Sequence, residues 1–343
     1  MSTVHVRRPG LHTTVQDLGR VGHQHAGVPV GGAMDRAALR LANLLVGNPE
    51  TDAALEVTLL GPSLELPGDV LLSITGADLS ATLDDGPLPL GHAVHAPAGA
   101  RLGFGRPVAG CRAYIAFAGG IAVPVVLGSR ATYVRAGLGG VSGRALAPGD
   151  LLPLGPPGDR SRRLAAAIAV GHAAPWAPGP HSPARIGADI EVRALRGSHF
   201  DALTDESSRA LLSAADGSGG DAPPGESAWF VVTGESDRMG YRLQGPALEL
   251  ARPLELVSEP VTFGTVQLPP GGQPIVLMAD RQTTGGYPRV LDVVSADLPL
   301  LAQAPPGTRV RFREVSLVEA RRLYLAREHE LARIALAITL QLS

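Results

Sequence analysis

The chain has 343 residues, 45 % of them hydrophobic and 18 % charged, with a formal net charge of −2. That excludes a disordered or fibrous protein, fits two domains of ordinary size, and gives no electrostatic reason to expect nucleic acid or an anionic membrane surface as a partner. All 30 basic residues are arginine, which excludes a Schiff-base lysine, a P-loop lysine and a biotinyl-lysine on this chain. The one cysteine, Cys111, excludes an intrachain disulfide and a cysteine zinc cluster.

Val4-His-Val-Arg opens as a strand and Pro9-Gly10 turns it. His23 and His25 follow, two residues apart. On a strand both rings would share one face, a spacing that can begin a metal site. Neither a cysteine nor a carboxylate–histidine set completes one, so no metal is expected. Asp35 to Val46 is the clearest helix. Asp35 is a good N-cap, Ala38, Leu41, Ala42 and Leu45 form one apolar stripe, and Gly47 with Asn48-Pro49 ends it.

From Leu55 to Val108 the pattern is successive short strands separated by Pro67-Gly68, Asp84-Asp85-Gly86 and Pro97-Ala98-Gly99. Cys111 lies in a strand-like run and reads as a buried structural thiol, and Ile121 to Leu127 adds more β character. The hexapeptide Gly61-Pro-Ser-Leu-Glu-Leu66 recurs as Gly245-Pro-Ala-Leu-Glu-Leu250, a sign of internal duplication.

These signals divide the chain into a β subdomain at 1–155 carrying the helix 35–46, a linker region at 156–183 and a second β subdomain at 184–343. Within the linker region Leu164 to Val170 reads as a strand, and in the second subdomain His199 to Leu212 reads as a helix. Ser213 to Ser227 is rich in Gly, Pro, Ser and Asp, the composition of a mobile excursion. Ser316-Leu-Val-Glu319 is a capping box that opens a C-terminal helix through about residue 330. The N-terminus has no apolar secretory core and no stretch reaches the roughly 18 to 20 apolar residues that span a bilayer, so a cytoplasmic location is expected.

The densest chemistry lies in Asp280-Arg-Gln-Thr-Thr-Gly-Gly-Tyr-Pro288, directly after the apolar run Pro274-Ile-Val-Leu-Met278. A carboxylate, a guanidinium, an amide, two hydroxyls and a phenol surround Gly285-Gly286, where backbone can approach a ligand closely. Asp280, Thr284 and Tyr287 are the catalytic candidates. Gln282, Thr283, Gly285 and Gly286 are the binding candidates beside them. Arg238 and Arg242 would share a face if their segment is extended, and guanidinium groups can hold a carboxylate or carbamate bidentately. Gln267 is a credible donor to an amide or ureido group, and Asp17 and Arg20 complete the binding set. There is no nucleophile elbow and no phosphate-cradling motif, so these groups suit electrostatic stabilisation of an amide or ureido oxygen with a carboxylate moving a proton.

The stretch 280–288 resembles the signature of the family known as allophanate hydrolase subunit 2 or biotin-dependent carboxyltransferase, and is most like those members that form the C subunit of 5-oxoprolinase. Gln16 to Arg20, Gly31 to Asp35, Leu44 to Asn48, Ser236 to Leu243, Gly128 to Arg130, Gly149-Asp150 and Ser295 to Gln303 extend the resemblance over nearly the whole chain. The resemblance implies a mainly β protein with a few helices, built as two cyclophilin-like β-barrel subdomains. It also implies one of three roles. The first is to work with A and B subunits in ATP-dependent (Mg) opening of 5-oxoproline to L-glutamate. The second is carboxyl transfer to urea or an amide, with biotin on a partner and no covalent biotin on this chain. The third is a non-enzymatic antagonist of a histidine-kinase inhibitor. All three imply a partner resembling the B subunit. On these grounds Thr284→Val and Arg238→Ala are expected to abolish activity while leaving folding intact.

Overall fold

The computed structural model describes residues 2–178, 188–213 and 227–341, so the excursion expected at 213–227 lies almost wholly outside the described residues. The chain divides into two compact units. Unit 1 comprises Met1–Val21, Gly31–Ile186 and His329–Ser343; unit 2 comprises Gly22–Val30 and Gly187–Glu328.

Unit 1 holds strands β1 (Thr3–Arg8), β2 (His12–Gln16), β3 (Ala54–Thr58), β4 (Ser63–Glu65), β5 (Val70–Asp78) and β6 (Ala81–Leu83). It continues with β7 (Gly86–Pro87), β8 (Ala93–Ala96), β9 (Arg101–Phe104), β10 (Ala109–Phe117) and β11 (Leu151–Pro153). They form two sheets, in the orders β11-β1-β4-β9-β6-β7 and β2-β3-β10-β5-β8. Successive residues of a strand face opposite ways, and the second sheet is apolar on both faces. Leu72, Ile74, Ile115 and Phe117 join Val4, Val6, Leu64 and Leu102 in a core between the two sheets. Leu71, Tyr114 and Ala116 face outward onto Leu39, Ala42 and Leu45 of helix α1 (Arg36–Leu45). Ser73 and Thr75 also face α1, and their hydroxyls donate to the carbonyls of Ala42 and Ala38 at 2.7 and 2.6 Å, so the buried polar atoms are paired. Asp35 caps the helix as expected, its Oδ1 accepting from the Ala38 N–H at 2.9 Å.

Unit 2 holds β12 (Ile190–Arg196), β13 (Leu212–Ser213), β14 (Phe230–Val232), β15 (Gly240–Gln244) and β16 (Glu259–Pro260). Then come β17 (Thr265–Gln267), β18 (Ile275–Leu277), β19 (Thr284–Gly285), β20 (Arg289–Val293) and β21 (Arg309–Glu314). Seven of them, in the order β12-β20-β17-β18-β15-β14-β21, close into a barrel when β21 pairs parallel with β12, Val192 opposite Phe312. Closure removes the exposed edges an open sheet would leave. The fold is mainly β with a few helices, as the sequence implies. The two hexapeptide copies sit in different contexts, the first forming β4 and the second running irregularly to a bridge between Leu250 and Leu203. They share the seat of their glycine, since a Cβ would fall 2.2 Å from the Phe104 ring at Gly61 and 2.5 Å from the Phe230 ring at Gly245.

Five local expectations are corrected. Residues 159–167 form helix α2 (Asp159–Ala167), with only Ser161 and Leu164 buried, a one-sided helical spacing in place of the strand expected from Leu164. Residues 121–127 make only isolated bridges, because Pro124 lacks an N–H and Leu127 and Gly128 both take positive φ, 51° and 78°, in a tight turn. His25 lies in a 3-10 turn at Gln24–Ala26 with His23 at its N-cap, so the pair does not share a strand face. The segment 199–212 is interrupted: a 3-10 turn at Phe200–Ala202 precedes helix α3 (Asp205–Leu211), capped by Thr204. After α4 (Leu298–Ala302), α5 (Leu317–Leu340) runs well past residue 330. Its length follows from Leu331, Ile334, Ala335 and Ile338, which repeat at helical spacing and bury against the core beside α1.

Candidate functional site

In unit 1, three loops far apart in sequence are tied together by backbone and carboxylate. Asp17 is buried, and its Oδ1 accepts from the Gly19 N–H and the Ser129 hydroxyl, both at 2.7 Å, while Oδ2 accepts from the Arg130 N–H at 2.6 Å. The Asp17 carbonyl accepts from the Ala33 N–H at 2.9 Å. Gly32 has φ of +82°, and a Cβ there would meet the Gly19 nitrogen at 2.6 Å, so only glycine lets the two segments touch. Arg20 is fully buried and donates to the Ala131 carbonyl. The Gln16 amide donates to the Thr132 carbonyl at 3.1 Å. Underneath, the Tyr114 hydroxyl donates to Glu56 and accepts from the Asp35 N–H, both at 2.7 Å, and the Met34 N–H donates to Glu56 at 2.8 Å. Burial, reinforced by the Glu56 carboxylate, pushes the Tyr114 phenol well above its ordinary range. Asp17 and Arg20 thus act here as ties that fix the loops 17–20, 31–35 and 128–132.

In unit 2, β18 delivers the dense loop and β15 holds its base. Gly240 pairs with Leu277 and Tyr241 with Val276. The ladder then continues beyond the strands, the Met278 N–H donating to Met239 at 2.9 Å and the Asp280 N–H to Arg238 at 2.8 Å. This brings Arg238 and Asp280 together. The guanidinium donates Nε to Oδ2 at 2.8 Å and Nη2 to Oδ1 at 3.0 Å, with both side chains largely buried. Arg238 lies before β15 in a bend that Asp237 closes by accepting from the Met239 N–H at 2.7 Å. The extended path expected to place Arg242 on the same face is therefore absent. Arg242 is exposed on β15 and lies 3.7 Å from Glu235.

Gln267 is the second organising group. It is buried at the end of β17, its Oε1 accepting from the Gln282 amide and its Nε2 donating to the Tyr287 carbonyl, both at 3.4 Å. Gly285 lies directly over it, where a Cβ would come 2.4 Å from Nε2. The loop is held on its far side by a small sheet in which Thr284 pairs with Pro260 and Gly285 with Glu259, and by the Val261 N–H donating to the Thr283 carbonyl at 3.1 Å. The result is a layered arrangement. Asp280, Arg238 and Gln267 form a buried base, Gln282 and Thr283 are half-buried, and Thr284, Gly286 and Tyr287 are exposed. Exposed hydroxyl, phenol and glycine-bared backbone over a rigid polar base can present donors to an amide or carboxylate.

Sequence reasoning passed over Glu259 and Arg289. They form an ion pair at 2.7 Å beside the small sheet, and the adjacency of Arg289 to Pro288 was the available signal. It also passed over Asp292, which accepts from the Thr265 hydroxyl at 2.8 Å. Burial raises its pKa above the ordinary carboxylate value, opposed by the Thr265 hydrogen bond and the Arg289 charge. Among the described residues no group of three or more His, Cys, Asp or Glu is placed to hold a metal ion, and no helix is long and apolar enough to cross a membrane.

The chain resembles proteins of known kind along almost its whole length. It is 40 % identical over 313 residues to the 5-oxoprolinase C subunit of Escherichia coli, a match that covers 91 % of each chain. It is 33 % identical over 333 residues to urea amidolyase of Lachancea kluyveri, of which it spans only 17 %. The crystal structure of Kluyveromyces lactis urea carboxylase superposes with a TM-score of 0.83 at 29 % identity, covering 97 % of this chain and 29 % of that one. The model of the carboxyltransferase domain, subdomain A and B, matches residues 26–314. The chain belongs to the carboxyltransferase subdomain A and B family.

Proposed function

We propose that this chain is the C-type component of an ATP-dependent 5-oxoprolinase, acting with A-type and B-type subunits to open 5-oxoproline to L-glutamate. The observation that carries the reading is the extent of the match to the Escherichia coli protein, which takes in 91 % of both chains. The urea amidolyase relative is instead matched over 17 % of its length. The site supports the same chemistry: the exposed Thr284, Gly286 and Tyr287 over the buried Arg238–Asp280 pair offer donors for the amide oxygen and carboxylate of a cyclic amide. We assign Thr284 and Tyr287 to the exposed reacting side of the loop, and Asp280, held by Arg238 beneath it, to positioning that side. Gln282, Thr283, Gly285 and Gly286 frame it, and Arg242 is the exposed cation on the neighbouring strand. ATP and its Mg²⁺ belong on a partner, because this chain has neither a P-loop lysine nor a phosphate-cradling motif. The complex is placed in the cytoplasm.

The carboxyltransferase family match supports a second reading, carboxyl transfer to urea or an amide. Biotin would then ride on a partner, since this chain has no lysine to carry it. Product identification separates the two. Glutamate formed from 5-oxoproline and ATP in the presence of avidin supports the first reading. An avidin-sensitive transfer of carboxylate to urea, with no glutamate formed, would replace it.

A further inference from the structure

We propose that Arg289 is a specificity-determining residue of this site: it binds the carboxylate of the cyclic amide, and Glu259 holds its place until the substrate arrives. That role deepens the functional reading above and rests on it.

In 5-oxoproline the carboxylate and the amide carbonyl sit on the two carbons that flank the ring nitrogen. A site whose donors meet the amide oxygen therefore needs a cation close beside them. Thr284, Gly286 and Tyr287 supply the exposed donors. The arginines around the loop differ in what holds them. Arg238 is forked onto Asp280. Arg281 donates to the carbonyls of Val261 and Met278, both at 3.4 Å, and lies over the Phe263 ring. Arg242 pairs with Ile275, at the end of β18 away from the loop. Arg289 is placed otherwise. It stands opposite Gln267 in the ladder of β17 and β20, and residues opposite each other across a ladder share a face. That is the face on which Gln267 meets Gly285. From it the Arg289 guanidinium reaches Glu259 and Pro260, the residues that pair with Gly285 and Thr284.

The counter-ion of Arg289 is the kind a substrate can replace. Glu259 belongs to a strap, residues 252–260, in which no residue is buried. The strap is tied at one end by the Ala251 N–H donating to the Ala202 carbonyl at 2.8 Å and at the other by the pairing of β16 with β19. It passes over the loop, Ser258 Oγ lying 3.5 Å from where a Cβ at Gly286 would stand. Arg289 Nη2 meets Glu259 Oε2 at 2.7 Å and Nη1 donates to the Pro260 carbonyl at 3.3 Å. Nε is buried with no hydrogen-bond partner among the described residues. Arg238, by contrast, matches Nε and Nη2 to both oxygens of its carboxylate. The Glu259 side chain is 49 % exposed, so breaking its pair costs little. A substrate carboxylate that takes both Nε and Nη2 gains the bond this pair lacks. Glu259 then acts as an internal competitor that weakens apparent substrate affinity by the fraction of time it holds the arginine.

The test uses the full chain assembled with A-type and B-type 5-oxoprolinase subunits and follows glutamate release against 5-oxoproline concentration at saturating ATP. Arg289→Gln should raise KM about tenfold to a hundredfold with kcat within about twofold. Arg289→Lys should recover part of that loss, keeping the charge without the fork. Glu259→Gln should lower KM by up to about fivefold. 2-Pyrrolidinone, the same ring without the carboxylate, should inhibit the wild type and Arg289→Gln equally. An ion pair that only braces the strap would make both changes harmful in the same direction. A KM that rises or stays the same in Glu259→Gln, or one unaltered in an assembled Arg289→Gln complex, overturns the inference and leaves the functional reading standing. Loss of 2-pyrrolidinone inhibition in Arg289→Gln alone also overturns it. If Arg289→Gln does not assemble, the direction of the Glu259→Gln change decides. A wild-type complex that forms no glutamate removes both.

Discussion

Arg238 and Asp280 meet in a fork, Nε to Oδ2 at 2.8 Å and Nη2 to Oδ1 at 3.0 Å, with side chains only 11 % and 8 % exposed. Each holds the other, so the arginine singled out for substrate binding also anchors the base of the loop. Removing one partner of a buried pair leaves an uncompensated charge and costs about 3–5 kcal/mol. Arg238→Ala should therefore lower stability by that order in chemical denaturation, contrary to the expectation that it leaves folding intact. The double change Arg238→Met with Asp280→Leu should recover most of the loss. Equal losses in the single and double variants would show that the pair is not the anchor.

Thr284 gives a cleaner probe of the chemistry. Its side chain is exposed and its backbone alone pairs with Pro260. Thr284→Val should keep stability within about 0.5 kcal/mol while abolishing turnover of the reconstituted complex. Full turnover in this variant would remove the hydroxyl from the site.

Gly285 tests the role of Gln267. A methyl at 285 would fall 2.4 Å from Gln267 Nε2, so Gly285→Ala should displace the amide and break its bonds to Gln282 and Tyr287. The expected stability loss is about 1 kcal/mol, with a larger fall in activity. Adding Gln267→Ala should restore the stability and not the activity. If Gly285→Ala is active and stable, Gln267 does not position the loop.

Asp292 makes a pH prediction. Its pKa is raised in the folded state, chiefly by burial. The folded protein then binds more protons than the unfolded chain above the ordinary carboxylate value, so this group costs stability as pH rises from that value through its raised one. Asp292→Asn should raise the melting temperature at neutral pH, and the gain should shrink as the pH falls below the ordinary carboxylate range. A gain that is independent of pH would assign the effect to packing.

Much of this was legible in the sequence where local chemistry decides. The α1 cap at Asp35 and the strand leading into the dense loop follow from short-range rules. What was hidden depends on tertiary neighbours. Nothing near Asp17 in sequence reveals that its carboxylate grips Ser129 and Arg130. The bend at Asp237 that turns Arg238 inward and leaves Arg242 outside is set by a side chain capping its own backbone. The full length of α5 is not legible locally because Leu331 and Ile338 gain their burial from the core beside α1, and tertiary packing carries most helical stability.

The most direct measurement is glutamate release from 5-oxoproline and ATP by this chain with A-type and B-type 5-oxoprolinase subunits, repeated with each component omitted in turn. Turnover that requires every component, and that disappears with Thr284→Val in a fully assembled complex, is the predicted result. A stable complex that releases no glutamate, or one that releases it equally well without this chain, would contradict the assignment.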